Sequence, residues 1–174
     1  MFTEAAVLFE INKTLEIVQL EIPKLKRGQV LVEISYSGAC GTQLGEVTGK
    51  RGEDRFLPHC LGHEGVGTVL ELGQDVKKVS IGDKVVLSWI KGSGIDAGGT
   101  VYSSKSLKIN SGPVTTFQKH SVVSENRLTL LPENISEEFG VMLGCSAPTG
   151  MGAVNNILMP LPGSSAIIFG GGAV

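Results

Sequence analysis

The stretch Leu61-Gly62-His63-Glu64-Gly65-Val66-Gly67-Thr68-Val69 sets the tightest limits on what this chain can become. Its closely spaced glycines disfavour a local helix and let the backbone bend sharply or pass close to a neighbour. An imidazole and a carboxylate stand side by side between them, and Val66, Thr68 and Val69 favour a strand. A titratable pair on a glycine turn at the mouth of a strand suits metal binding or proton movement. It equally fits a surface turn with two solvated polar residues. Both readings stay open until the cysteines are weighed.

The flanking sequence is that of a β protein. Short apolar-rich runs at 5–9 and 15–22 are separated by the turn Asn12-Lys13. At 30–36, Val30, Val32, Ile34 and Tyr36 alternate with Glu33 and Ser35, the pattern of a half-buried strand fed by the turn Lys26-Arg27-Gly28-Gln29. Strands are also expected at 66–72 and Lys84–Ser88, with turns at Gly73-Gln74-Asp75 and Ile81-Gly82-Asp83. Further strands are expected at 115–123 and 127–131. Many short strands with frequent turns point to a barrel or sandwich, not a parallel sheet. Between 91 and 112 periodicity gives way to glycine and serine, which predicts a long mobile loop. Ser136 is placed to cap a short helix with Glu137 and Glu138 in its first turn, and a second helix is expected over 148–156, opened by Pro148.

Composition narrows the class. At 174 residues the chain is long enough for one domain with a real core and short for two. A net charge of −2, without basic runs or interleaved aromatics, gives no sign of nucleic-acid binding. No apolar run approaches the ~20 residues of a membrane span, and the opening Met1-Phe2-Thr3-Glu4 lacks the features of a signal peptide. Three widely spaced cysteines, Cys40, Cys60 and Cys145, argue against a disulfide framework and for a reducing compartment. The expectation is a cytoplasmic protein that binds neither nucleic acid nor membrane.

Residues 165–169 form a continuous apolar run suited to a strand buried on both faces. They lead into Gly170-Gly171-Gly172-Ala173-Val174, which fits either a glycine-rich tail or the opening of a dinucleotide-binding fingerprint. The preceding strand favours the fingerprint. Cys40, in Gly38-Ala39-Cys40-Gly41-Thr42, and Cys145, in Gly144-Cys145-Ser146, both lie in turns able to aim a thiolate. With His63 they compose a two-sulfur, one-imidazole set of the kind found in three-ligand zinc sites with an open fourth position. Taken singly, each is equally a small buried hydrophobe or a satisfied imidazole. Sequence spacing alone does not decide between these.

Together the segments 38–42 and 62–67, Gly82-Asp83-Lys84-Val85-Val86, Gly144-Cys145 and the run from Phe169 to Val174 resemble the N-terminal part of the zinc-dependent medium-chain alcohol dehydrogenases. The resemblance covers nearly the whole chain. It implies a mainly β fold with short helices: a GroES-like β-barrel catalytic domain over 1–160, then the first strand of a truncated Rossmann domain at 161–174. It further implies that Cys40, His63 and Cys145 hold the catalytic zinc, with Glu64 close enough to approach the metal. Thr42 would pass the alcohol proton outward, and Trp89 would line the substrate pocket. Thr149, Gly170, Gly172 and Val174 would meet an NAD or NADP cofactor. The parent activity implied is hydride transfer between a small alcohol or polyol and the nicotinamide, in a homo-oligomeric enzyme, with a chain lacking the rest of the Rossmann domain binding zinc but not turning over.

Departures from the family pattern accompany the match. Gln43 stands where an acidic residue often supports the zinc-bound histidine, and Gly45 stands near the place of a relay histidine. Residues 91–112 hold no cysteine, so no structural zinc is expected, and Cys60 is expected to be buried without a role. Two other readings remain: a non-catalytic zinc-binding GroES-like fragment or partner-binding interaction module, and a zinc-free reductase, which the Cys40, His63 and Cys145 set disfavours.

Overall fold

A strand whose two faces meet two different cores organises the molecule. In a computed structural model, which describes residues 1–172 and 174, the strands are β1 (Phe2–Leu8), β2 (Glu16–Glu21), β3 (Gln29–Ser37), β4 (His59–Cys60), β5 (Glu64–Leu72), β6 (Lys84–Ser88), β7 (Thr100–Ser104), β8 (Leu107–Ser111), β9 (His120–Ser124) and β10 (Leu128–Leu130). The helices are α1 (Gly41–Val47), α2 (Glu137–Gly140) and α3 (Ser146–Gly152). A 3-10 turn at Val141–Gly144 joins the last two, and a wider turn at Ala153–Leu158 continues α3.

Strands β1, β2, β7, β8 and β4 close a barrel in that order, and the second sheet runs β10-β6-β5-β3-β9. On β3, Val30 and Val32 pack with Val69, Val85, Leu87, Val123 and Leu128. The intervening Leu31 joins Ala5, Val7, Leu20, Cys60, Tyr102, Ile109 and Val122 inside the barrel. Burying one such Val or Leu side chain contributes about 1.5–3 kcal/mol, so β3 ties the two clusters together. The mainly β barrel architecture expected from the sequence is therefore the observed one.

Particular expectations need correction. Tyr36 does not share the buried face of Val30 and Val32; it is 41% exposed. The pairing of β3 with β5 shifts between Ile34 and Tyr36, and the Tyr36 hydroxyl donates outward to Glu138 Oε1 at 3.3 Å. The run 91–112 is not one mobile loop. Residues 100–111 form the β7–β8 hairpin, whose Tyr102 and Ile109 are buried in the barrel. Its turn uses Lys105 at a φ of 55°, a conformation that glycine-based turn signals do not reveal. The strand expected over 115–123 begins only at His120, because Thr116 and Phe117 instead donate their amides to the Leu61 carbonyl, each at 3.0 Å.

The C-terminal helix starts two residues earlier than expected, at Ser146. Pro148 is still within its first turn, where a missing N–H costs nothing. Residues 165–169 are not a strand, and Ile167, Ile168 and Phe169 are 80%, 85% and 94% exposed. Their apolar composition supplies strand propensity, but among the described residues no neighbour supplies the ladder that would hold it. Ala173, part of the glycine-rich fingerprint, lies outside the described residues.

Candidate metal centre

Each of the three candidate ligands is set by a different local device. Cys40 is the N-cap of α1, so the segment expected as a simple turn is a helix start. Gln43, three residues on, reaches back to accept the Cys40 N–H through its side-chain oxygen at 3.1 Å, one half of a capping box. His63 follows Gly62, which has a φ of 89°; a Cβ there would lie 2.3 Å from Thr116 Oγ1. Only glycine fits that corner, and it delivers His63 to the head of β5. Cys145 follows Gly144, where a Cβ would come within 2.4 Å of the Leu87 carbonyl oxygen on β6. The Ser88 hydroxyl donates to the Gly144 carbonyl at 2.6 Å and locks this approach.

These devices bring Cys40, His63 and Cys145 together. One ligand atom from each lies within 4.8 Å of the other two. Among the described residues this is the one group of three or more such side chains that converge. Cys145 is buried, and Cys40 and His63 are half-buried. Burial pulls the His63 imidazolium below its ordinary range and Arg51 adds to the effect, against the opposing pull of Glu64 and Glu46. Burial likewise pushes the Cys145 thiol up, reinforced by the charges of Glu64 and Cys40, while Thr149 and Trp89 act in the opposite direction. Both shifts favour uncharged donors until a cation is present to reverse them.

The other expected site residues fall at graded distances. Thr42 Oγ1 is 3.8 Å from Cys40 Sγ, at the edge of the cluster. Glu64 is buried behind it and accepts from Ser146. Trp89 is half-exposed just past β6, and its carbonyl accepts from Arg127 Nη1. Thr149 Oγ1 donates to the Cys145 carbonyl at 2.7 Å and lies 3.9 Å from its sulfur. Val174 folds back so that a Cβ on Gly150 would meet its carbonyl carbon at 3.3 Å. Gly170 and Gly172 are not brought to the cluster and have open space around them. Cys60 is buried in the barrel core, away from the converging group, and burial lifts its thiol to about 12.

A cavity of about 790 Å³ opens beside His63, lined among others by Gln43, Arg51, Asp54, His59 and Asn110. Trp89 is not part of its wall. One wall is stiffened by His59, whose Nε2 lies 2.7 Å from Asp54 Oδ2 and whose Nδ1 lies 2.9 Å from the Cys60 carbonyl. Burial pushes the Asp54 carboxyl up, but the Phe56 amide and His59 outweigh it and hold it below its usual range. The sequence reading missed this pair and the Ser146–Glu64 contact. Their only sequence signal was polar residues next to expected ligands or in an apolar segment.

Comparisons with known proteins point to one family. The alcohol dehydrogenase GroES-like domain matches residues 26–133. An S-(hydroxymethyl)glutathione dehydrogenase of Synechocystis sp. is 33% identical across 100% of this chain and 54% of its own length. One from Escherichia coli O1:K1 is 32% identical with the same coverage. The chain thus spans about half the length of the curated relatives it matches. Benzyl alcohol dehydrogenase from Acinetobacter calcoaceticus aligns with a TM-score of 0.75 at 26% identity, over 95% of this chain and 51% of that one.

Proposed function

This chain belongs to the alcohol dehydrogenase GroES-like domain family, and from that premise we propose that it is the catalytic domain of a zinc-dependent, NAD(P)-linked alcohol dehydrogenase. The observation that carries the reading is the convergence of two thiols and one imidazole on a single point. That donor set suits zinc and leaves a fourth position for an exchangeable ligand, whereas hard cations such as magnesium or calcium take oxygen donors. Cys40, His63 and Cys145 would hold the ion. When bound, zinc supplies Lewis acidity at an alcohol or carbonyl oxygen, and the nicotinamide supplies the hydride acceptor.

The remaining work falls to the chain's own side chains. Thr42, beside Cys40, carries a hydroxyl that donates and accepts at once, so it takes the alcohol proton and hands it outward. Gly45 has no side chain to continue a relay, so the proton leaves from Thr42 to solvent. Glu64, buried next to His63, would supply a carboxylate close to the bound ion. Trp89 shields the site on the Cys145 side, and the cavity beside His63 admits the substrate. Thr149 and Val174 would face the cofactor, and Gly170 and Gly172, which carry no side chain, would let its pyrophosphate approach the backbone. The named relatives support an alcohol substrate, since S-(hydroxymethyl)glutathione and benzyl alcohol are both alcohols.

The test is alcohol-dependent reduction of NAD⁺ or NADP⁺ by the protein that carries this chain, before and after metal removal. Activity that requires zinc and is lost in Cys40→Ser supports the reading. Undiminished activity without zinc would transfer the chain to the zinc-free reductases.

A further inference from the structure

Gln43 touches two of the three candidate ligands at once. It is only 6% exposed. Its Oε1 accepts the Cys40 N–H at 3.1 Å, and its Nε2 lies 2.6 Å from His63 Nδ1. A side-chain amide has one accepting end and one donating end. The Cys40 N–H can only donate, so it fixes the oxygen, as a glutamine in this position of a capping box does. The end presented to His63 is therefore the NH₂ group, a donor. His63 Nδ1 must meet it with a lone pair, and in a neutral imidazole the proton then sits on Nε2. With Nδ1 engaged, Nε2 is the nitrogen left for a metal, and it is the one that carries the proton.

We propose that Gln43 is a positioning residue that holds His63 in the tautomer opposed to metal binding through Nε2, so that filling the site requires the Gln43 amide to turn and the imidazole proton to move from Nε2 to Nδ1, where it donates to the amide oxygen. This rests on the reading of Cys40, His63 and Cys145 as a metal centre. A glutamate at the same position reverses the logic. Its two oxygens accept from the Cys40 N–H and from His63 Nδ1–H together, leaving Nε2 bare for the ion. Hydrogen-bond partners of metal-bound histidines change affinity by about 10–100-fold, so Gln43→Glu is expected to tighten zinc binding by about tenfold or more.

Two measurements test it on the 174-residue chain. Long-range ¹⁵N–¹H NMR of the metal-free chain, above the pH at which His63 titrates, reads its tautomer directly. The expected result is a proton on Nε2 in the natural chain and on Nδ1 in Gln43→Glu. A proton on Nδ1 in the natural chain overturns the proposal without recourse to any variant. Chelator competition then compares zinc affinity, with the cobalt(II) absorption spectrum reporting the ligand field. Tighter binding in Gln43→Glu, with binding in Gln43→Ala no weaker than in the natural chain, supports the proposal. Equal affinity in the natural chain and Gln43→Glu overturns it and leaves the metal reading intact. If neither form binds zinc, the metal reading falls and the proposal falls with it.

Discussion

The Ser146 hydroxyl donates to Glu64 Oε2 at 3.2 Å, and the Ser146 amide approaches the same oxygen at 3.4 Å. Each partner adjoins a candidate ligand, Glu64 next to His63 and Ser146 next to Cys145. The contact thus ties the head of β5 to the start of α3 across 82 positions. Both side chains are buried, so water does not replace the bond if it is lost. Glu64→Leu should destabilise the chain by about 1–3 kcal/mol, the cost of leaving buried donors without a partner, and should weaken zinc binding as well. Glu64→Gln retains a carbonyl oxygen and should lose less of both. Urea denaturation and chelator competition on the two variants check the order, and equal losses would argue against the tether.

Metal content should be one zinc per chain. The converging thiols and imidazole make one site, and no cysteine lies between 91 and 112. Cys145→Ser should bring occupancy close to zero, while Cys60→Ala should leave it unchanged. Two zincs in the natural chain would contradict the single-site assignment.

Hydrogen exchange should divide the segment 91–112. Amides in the β7–β8 ladder, around Tyr102 and Ile109, should exchange slowly because they open only with the barrel. Amides of residues 91–99 lie outside any ladder and should exchange fast, except Gly92, Ile95 and Ala97, which donate to the Asn126 carbonyl, Glu125 Oε2 and Ser124 Oγ. Uniformly fast exchange over 91–112 would mean that the hairpin is not formed in solution.

Alkaline pH should unfold the barrel earlier than surface titration predicts. Burial raises the Cys60 thiol from its ordinary 9.0, and the Tyr102 phenol from 10.0, each to about 12. The unfolded chain therefore loses these protons first, and stability falls with rising pH wherever the unfolded state holds fewer protons. The protection is complete below about pH 9 and is lost progressively towards 12. Cys60→Ala should shift the onset towards pH 10, where the Tyr102 contribution alone begins. Denaturation midpoints against pH measure this, and an unmoved onset would show that Cys60 is not shielded as described.

Much of the fold was legible because it follows from near neighbours in the chain. The bounds of β6, Lys84–Ser88, follow from Val85, Val86 and Leu87 between turn residues. The Ser136 cap of α2 follows from its hydroxyl, which accepts from the Phe139 amide at 3.3 Å. The identities of Cys40, His63 and Cys145 as candidate ligands could likewise be read, through the residues around each and the family they resemble. Their convergence could not. It depends on Gly62 turning against Thr116, Gly144 packing on Leu87 and the Gln43 side chain reaching back to Cys40. The Lys105 turn inside a polar segment and the unpaired run at 165–169 were misjudged for the same reason. Propensity, capping and alternation belong to a few consecutive residues, so the sequence determines them by itself. Strand pairing and side-chain convergence require hydrogen bonds and close packing between residues tens of positions apart, and only the tertiary structure supplies those partners.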